Sequence, residues 1–448
     1  MKNNALNIVL KLRKLGFEAY WAGGCVRDIL LNKEPHDFDV VTSATPSQIQ
    51  NILKNTSSVG KSFGVILVKI DNQNFEIATF RSEGKYSDSR RPDKVFWSNA
   101  KEDAKRRDFT INGMFYDPVN KQVIDYVNGL DDLKNRTIRF IGNPNDRIKE
   151  DYLRILRAVR FKNAYDFKYD KRSFEAIMQN AYRIEKVSKE RVAQELNKIF
   201  SHKNRAKALD DLSQLNILKY ILPEIERMKG VRQPDQFHKE GDVYIHTLEA
   251  LKSLPEKSPL ALVWAVLLHD SGKPDTISYP QTASDRIRFN KHVKFSAGIA
   301  SKVTRRYKFS NTERQMIVYL VKNHMEIASI LKMNKLNKRK MMLDPRFPWL
   351  LKLFKADIMG TKPRRFDLYN KNVILYEKIK SEYEKEQNKP NFKLLLTGND
   401  LMTQFNLKSG PKIGKILKKV EEAQLEDKIK TKNQAVKYIK NNFTNYIK

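Results

Sequence analysis

The sequence predicts an N-terminal α/β domain over residues 1–141, followed by a chain that is helical almost throughout. In the first part, bulky and β-branched residues alternate with polar ones in several short segments, which is typical of strands. From Pro144 onward, apolar residues recur every three or four positions, as they do on one face of a helix. With 448 residues the chain is long enough for several domains.

The predicted elements of the first domain alternate between helix and strand. They are, in chain order, a helix ending near Gly16, a strand at 17–22, a helix at 26–31, a strand through Asp37 and Asp39, a helix at 46–53, a strand hairpin at 64–70 and 74–80, and a closing strand at 137–141. The helical remainder divides into a neck at 142–200, a body at 201–390 and a tail at 391–448, with a break near Pro390.

The amino-acid composition limits the kinds of partner and the cellular location that can be expected for this chain. The formal net charge is +33, which implies a polyanionic partner such as a nucleic acid, although a general bias towards basic residues would also produce it. Cys25 is the single cysteine, so an internal disulfide is excluded and a reducing, cytoplasmic location is expected. We expect no signal peptide and no membrane contact, since no apolar run reaches membrane-spanning length.

The most informative stretch combines a glycine pair, an arginine and two aspartates. Asp37 and Asp39 are two positions apart, so on a strand they would share one face and could hold a hard cation between them. Gly24 would let the backbone approach a ligand at a helix N-terminus, and Arg27 offers a fork of donors for phosphate. The alternative is a solvated edge strand with two surface acids.

The run G-G-C-V-R-D followed by D-F-D resembles the signature of the class II tRNA nucleotidyltransferases, the family of bacterial CCA-adding enzymes and poly(A) polymerases. The resemblance implies a polymerase-β-like palm as the head, with two Mg²⁺ ions on Asp37 and Asp39. It further implies template-independent addition of C, C and A to tRNA 3′ ends from CTP and ATP, with release of pyrophosphate. Addition of the final A alone, or polyadenylation, would use the same chemistry.

Other segments extend this resemblance. Glu76 in the second hairpin strand is a candidate third acid, or it faces solvent. The run R-R-D-F-T-I-N at 106–112 implies a triphosphate contact through Arg107, where the alternative is a charged surface cluster. The polar segment 81–93 resembles the flexible loop that the family uses to add the terminal A, and an ordinary hairpin loop is the alternative.

In the neck, helical spacing predicts one helix running from Ile148 to Phe161. Asp151 and Arg154 would then be neighbours on its surface, where a local ion pair is the simplest interpretation. The resemblance implies that Asp151, Arg154, Arg157 and Arg160 select the nucleotide base. Asp151 would accept a hydrogen bond from the exocyclic amine of C or A, Arg154 would donate to the ring nitrogen, and Arg157 would orient this pair. The run K-E-R-V-A-Q-E-L at 189–196 resembles the next neck helix, or is a capped, charged helix surface.

The body contains a second group of candidate ligands. The run H-D-S-G-K at 269–273 resembles the HD phosphohydrolase motif. It implies His246, His269, Asp270 and Asp357 as ligands of a divalent transition metal, with His292 and His324 as auxiliary contacts. Each histidine alone could be a satisfied buried side chain, and the domain could survive as a helical body without activity.

Two function classes compete with nucleotide addition. The first is a metal-dependent phosphohydrolase that acts on nucleotides or RNA ends through the HD residues, and the second is an RNA-binding scaffold with an inactive head. In the tail, Gly410, Gly414 and the lysines around them suggest a tRNA backbone contact, or a plain basic helix. No obligate protein partner is inferred.

Overall fold

The computed structural model describes residues 1–57, 64–84, 86, 92–234, 241–282, 285–361, 366–389 and 392–443. The chain divides into two compact units, one formed by Met1–Glu226 with Arg306–Lys308, the other by Arg227–Arg305 with Phe309–Lys448. This division is coarser than the four segments expected from sequence, whose boundaries remain a prediction.

The first unit is built on a seven-stranded mixed sheet with the order β3-β4-β5-β2-β1-β8-β9. Within this sheet β2 and β5 run parallel and the other neighbours run antiparallel. Two short pairs, β6–β7 and β10–β11, lie outside it. The strands are β1 Ala19–Ala22, β2 Asp39–Thr42, β3 Thr56–Ser57, β4 Val65–Ile70, β5 Gln73–Thr79, β6 Arg81–Glu83, β7 Val95–Trp97, β8 Phe115–Asp117, β9 Gln122–Ile124, β10 Thr137–Ile138 and β11 Lys168–Tyr169.

Helices occupy both the sheet domain and the region that follows it. They are α1 Lys2–Lys14, α2 Gly24–Leu30, α3 Pro46–Ile52, α4 Ala100–Lys105, α5 Gly129–Lys134, α6 Pro144–Glu150, α7 Arg154–Tyr165, α8 Lys171–Asn180, α9 Lys189–Phe200, α10 Arg205–Gln214, α11 Leu218–Ile221 and α12 Pro223–Glu226. Short 3-10 helices lie at Thr110–Asn112 and Ala181–Lys186.

The alternation of side chains along β2 determines which face of the sheet presents the candidate acid Asp39. Phe38 and Val40 are buried, as the alternation predicts, while Asp39 shares the opposite face with Val41. Val41 belongs to a core cluster to which helix α4 contributes Ala100 and Ala104. The end of α4 is therefore held on the same side of the sheet as Asp39.

The structure confirms the predicted hairpin and corrects two elements. Asp71 and Asn72 both have positive φ between β4 and β5, as a two-residue hairpin turn requires. The closing strand covers only Thr137–Ile138 and pairs with β11. The continuous helix 148–161 is wrong, because α6 ends at Glu150 and α7 begins at Arg154. Asp151 is extended between them (φ −149°, ψ 107°), and its side chain accepts a hydrogen bond from the Leu153 amide, an alternative to helix that aspartate favours.

The described residues after α12 are mainly helical, with one two-stranded pair, β12 Ile277–Ser278 with β13 Arg288–Phe289. The helices are α13 Val243–Ser253, α14 Leu260–Leu268, α15 His292–Arg306, α16 Asn311–Asn323, α17 Lys335–Met342, α18 Phe347–Gly360, α19 Phe366–Gln387, α20 Gly398–Phe405, α21 Pro411–Leu425 and α22 Lys432–Asn442, with a 3-10 helix at Glu326–Lys332. Helices α20 to α22 enclose a small core of their own. Among the described residues, no helix combines the length and apolar content needed to cross a membrane.

Candidate active site

A cavity of about 690 Å³ in the first unit brings together almost all the residues singled out in the head and neck. It is lined by the predicted site residues Gly24, Arg27, Asp37, Asp39, Arg107, Asp151, Arg154, Arg157 and Arg160. Glu76 does not line it. Residues separated by more than 100 positions therefore form one concave surface, rich in arginine and with an acidic group at one side.

The acidic group is centred on Asp39, the first residue of β2. The pKa of Asp39 is raised to about 6, first by burial and then by the charges of Asp37 and Glu76, while the charge of Arg107 opposes the rise. Asp37 is exposed in the segment that leads into β2. The register pairs Val40 with Ile77, so Glu76 is level with Asp39 on the same face of the sheet, where it is exposed. Its part as a third acid stays a prediction.

These acids suit a hard divalent cation. The charges of Asp37 and Glu76 disfavour the ionisation of Asp39, and a cation bound beside Asp39 would relieve this repulsion. In the described part of the chain, Asp37, Asp39 and Glu76 are not among the sets whose three ligand atoms all lie within 4.8 Å of one another. Mg²⁺ is commonly held by one or two carboxylates together with the phosphates of a substrate, so these acids would hold it together with a bound nucleotide.

Gly23 explains how Arg107 comes so close to the acids. Its φ is +69°, and a Cβ at this position would lie 3.3 Å from Nη1 of Arg107 and 3.8 Å from Oδ2 of Asp39. A side chain here would be strained and would crowd the space between the arginine and the carboxylate. Arg107 is therefore placed to meet a negatively charged group bound beside Asp39.

Arg27 is more firmly engaged than the sequence suggests. Its guanidinium donates to Asp28 and to Oδ1 of Asn112 (2.7 Å), and it stacks 4.5 Å from the centre of the Tyr165 ring. These contacts tie α2 to α7 across the floor of the cavity. Whether the same fork also binds phosphate stays a prediction.

The neck residues are arranged differently from the expected helix surface. Asp151 does not pair with Arg154; both of its oxygens accept from Arg191 on α9, at 3.2 and 2.7 Å. Arg154 pairs with Glu150 and donates to the backbone carbonyl of Arg147 at 2.8 Å. Asp151 and Arg154 still line the same cavity, so a base could meet an acceptor and a donor there.

Arg157 is engaged with another acid, and its expected part in orienting Asp151 and Arg154 stays a prediction. Arg157 donates through Nε to Oδ2 of Asp108 at 2.7 Å. Burial alone would raise the pKa of Asp108, but the charges of Arg157 and Arg154 lower it to about 2. Arg160 pairs with Glu195 on α9. The residue that fixes Asp151 is Arg191, which lies in the run 189–196.

A second group of candidate ligands lies in the other unit, where five helices meet. His246 and Asp357 come from α13 and α18, His269 and Asp270 follow α14, His292 begins α15, and His324 follows α16. They form two sets whose ligand atoms lie within 4.8 Å of one another, His246–His269–Asp357 and Asp270–His292–His324. The two sets adjoin, since Oδ2 of Asp270 is 3.3 Å from Nε2 of His269 and Oδ1 is 3.6 Å from Nε2 of His292.

The second group fits a metal better than it fits satisfied buried histidines. The Nδ1 atoms of His269, His292 and His324 lie 2.7, 2.9 and 2.7 Å from backbone carbonyls, which turns each Nε2 towards the centre. The Nε2 atoms of His292 and His324 are buried without a hydrogen-bond partner among the described residues. Burial lowers the pKa of His324 to about 4, so this ring is neutral and able to bind a cation.

A cavity of about 650 Å³ adjoins this group and is lined by Lys273, Arg286 and Arg288 as well as by Asp270 and His292. Its positive rim suits a phosphate-bearing ligand. The loop expected at 81–93 can be followed only at its ends, because residue 85 and residues 87–91 lie outside the described residues.

Three models of known families match consecutive parts of the chain. Residues 19–139 match the poly A polymerase head domain. Residues 166–229 match the RNA and SrmB binding site of polymerase A, and residues 289–439 match domain 2 of tRNA nucleotidyltransferases.

Curated relatives match nearly the whole chain. The CCA-adding enzyme of Lactococcus lactis is 33% identical over 436 residues, covering 96% of this chain and 94% of the relative. That of Pediococcus pentosaceus is 30% identical over 97% of this chain and 96% of its own.

Solved structures share the fold. The Bacillus stearothermophilus CCA-adding enzyme in complex with CTP has a TM-score of 0.74 at 22% identity, covering 99% of this chain and 98% of that one. The Thermotoga maritima CCA-adding enzyme complexed with tRNA has a TM-score of 0.61 at 20% identity, covering 98% and 94%.

Proposed function

Because this chain belongs to the family of class II CCA-adding enzymes, we propose that it adds C, C and A to the 3′ ends of tRNA, using CTP and ATP and releasing pyrophosphate. The observation that carries the proposal is the cavity that gathers the acids of β2, Arg107 and the neck residues Asp151 and Arg154. Enzymes of this kind depend on divalent metal, and we propose Mg²⁺. A cytoplasmic location fits an activity on tRNA.

In this proposal Asp37 and Asp39 hold the metal, with Glu76 as a third acid. Bound there, Mg²⁺ would lower the pKa of the RNA 3′-hydroxyl and neutralise charge at the α-phosphate. Arg107 binds the triphosphate from the side of Gly23, which fixes the direction in which pyrophosphate leaves. These side chains position and neutralise the reacting groups, which is most of what phosphoryl-type transfer requires.

Base choice falls to Asp151 and Arg154, because the reaction has no nucleic-acid template. C and A both present an amine donor beside a ring-nitrogen acceptor, and U and G present a carbonyl beside a ring N–H. An ionised aspartate only accepts and an arginine only donates, so the pair suits C and A and leaves U and G unmatched. Arg191 and the Leu153 amide hold the Asp151 carboxylate, so it does not turn to follow a wrong base.

The test uses tRNA that ends at the discriminator base, incubated with CTP, ATP or both. We expect two additions with CTP alone and three with both nucleotides. A tRNA ending in CC separates the alternatives: an A-adding enzyme would extend only this substrate, and a poly(A) polymerase would add long tails. The matched control is Asp39→Ala, which should add nothing yet bind tRNA, because lysine and arginine contacts dominate RNA affinity.

A second function is favoured by the inward-facing Nε2 atoms of His292 and His324. We propose that this group binds divalent transition metal and hydrolyses phosphate esters that enter the adjoining cavity. The test is release of nucleotide monophosphate from 2′,3′-cyclic nucleotides with Ni²⁺, Mn²⁺ or Mg²⁺. No activity with any of the three metals would make the group structural.

A further inference from the structure

Asp103 is a buried carboxylate that belongs neither to the acidic group around Asp39 nor to the residues proposed to read the base. It lies on α4 with none of its surface exposed. Oδ1 accepts from the Arg81 amide (3.3 Å) and Nε of Arg106 (2.9 Å), and Oδ2 accepts from Nε and Nη2 of Arg107 (3.2 and 3.1 Å). Burial raises the pKa of Asp103, but the charges of Arg107 and Arg106 outweigh this and lower it. The group is therefore an ionised acceptor shared by the two arginines.

The way Asp103 binds Arg107 leaves one side of the guanidinium available. Nε and Nη2 both donate to one carboxylate oxygen, Oδ2, and these two charge-assisted contacts hold that edge of the guanidinium. Nη1 is left at the far side, next to Gly23 and on the side of Asp39, with one long contact of 3.4 Å to the Asn112 carbonyl. The ring of Phe115 lies 5.1 Å from the guanidinium and limits its rotation.

We propose that Asp103 is a positioning residue that fixes the Arg107 guanidinium so that Nη1 meets the triphosphate of the incoming nucleotide. The inference rests on the proposed nucleotide addition and extends it to a residue that does not touch substrate. An arginine without this partner would sample many rotamers, and ordering it on binding would weaken nucleotide affinity. The contact is remote from the base, so it serves CTP and ATP alike.

The test compares Asp103→Asn with Glu102→Gln, which changes a neighbouring, partly exposed acid of α4 that pairs only with Lys105 among the described residues. We expect Asp103→Asn to raise KM for CTP and for ATP by about tenfold, with kcat within threefold of the wild type, because orientation and not chemistry is lost. Glu102→Gln should match the wild type. An unchanged KM in a folded Asp103→Asn, or a change for one nucleotide only, overturns the inference.

A double-mutant cycle shows whether the effect passes through Arg107. Asp103→Asn should add no further rise in KM to Arg107→Ala, and an independent, multiplicative rise contradicts the inference. Should Asp103→Asn fail to fold, Asp103→Glu keeps the charge but displaces the carboxylate that holds Arg107; it should also raise KM for both nucleotides, and a wild-type KM there overturns the inference. Calorimetric binding of CTP gives the same comparison without turnover, so it tests the role of Asp103 even if the wild type adds no nucleotide to tRNA.

Discussion

At the scale of single residues, the ionisation of Asp39 links the site to stability. Its pKa in the folded chain is raised to about 6, mainly by burial and then by Asp37 and Glu76. The folded state thus holds the proton more tightly than the unfolded state, and between about pH 4 and pH 6 this group makes stability fall as pH rises. Above pH 6 the ionised carboxylate destabilises the metal-free fold.

We therefore expect Asp39→Asn to stabilise the chain in excess EDTA at pH 7.5 by about 1–2 kcal/mol, and to have little effect at pH 4.5. Urea unfolding at the two pH values is the measurement. The control is Glu102→Gln, which changes a partly exposed acid of α4. Equal stability of the variant and the wild type at pH 7.5 would mean that the folded state does not raise the pKa of Asp39.

Asp151 and Arg191 give a second prediction at this scale. Asp151→Ala should lower kcat/KM for CTP and ATP and bring it closer to kcat/KM for UTP and GTP. The reason is that each mismatched polar group costs about 1–3 kcal/mol, and the variant no longer imposes this cost on UTP and GTP. Arg191→Ala should narrow the same gap, since it frees the carboxylate that Arg191 holds at two points. The measurement is kcat/KM for all four nucleotides, with Glu190→Gln on α9 as control. A uniform loss with the C and A preference intact would place base selection elsewhere.

At the scale of elements, periodicity predicted most helices and strands of the head, because a half-buried strand and an amphipathic helix leave distinct patterns. The break at Asp151 was not predictable, since E-D-Y-L-R contains no proline or glycine and aspartate is tolerated inside helices. Arg191 and Asp103 were missed for other reasons. Arg191 was missed because its partner Asp151 lies 40 positions away along the chain, a distance that no local pattern spans. Asp103 was missed because the sequence does not show that it is fully buried, although Arg106 and Arg107 follow it at three and four positions.

The third prediction concerns the helices around His246 and His269. A metal bound there would join α13, α14 and α18, so Ni²⁺ or Mn²⁺ should raise the melting temperature of the chain; at 100 times the dissociation constant this corresponds to about 2.7 kcal/mol. The charges of Asp270 and Asp357 outweigh the effect of burial and raise the pKa of His269 to about 10, so binding must displace a proton and should tighten as pH rises. Thermal shifts at pH 6.5 and 8 measure this.

The control is the double variant His269→Ala with Asp270→Ala. It should lose the metal-dependent shift and any phosphatase activity, and should add CCA at the wild-type rate. A metal-dependent shift that persists in this variant would place the ion elsewhere in the chain.

Deletion of residues 87–91 tests the loop expected from the family resemblance. The deletion should spare the addition of both C residues and impair the final A, because the loop is expected to act only in the last step. Single-turnover assays on tRNA ending at the discriminator base and on tRNA ending in CC separate the two steps. Equal loss of all three additions would contradict this role.

At the scale of the whole molecule, the net charge of +33 predicts how tRNA binding responds to salt. Each phosphate neutralised by lysine or arginine releases condensed counterions, so affinity falls steeply as salt rises. Three lysines of the tail are expected to contribute a defined part of this salt dependence. Helix α21 turns Ile413, Ile416 and Val420 into the tail core and leaves Lys412, Lys415 and Lys418 exposed on other faces.

We expect the triple variant Lys412→Gln, Lys415→Gln, Lys418→Gln to bind tRNA more weakly and to reduce the slope of log K against log salt by about 2–3, because three phosphate contacts are removed. Its kcat at saturating tRNA should stay at the wild-type value, since the tail is not part of the cavity where the nucleotide is proposed to bind. Replacement of the same lysines by arginine keeps the charges and should keep the slope. Filter binding from 50 to 300 mM salt supplies the data. A slope that is unchanged in the glutamine variant would show that these lysines face solvent in the complex, and that the basic charge acts on tRNA elsewhere in the chain.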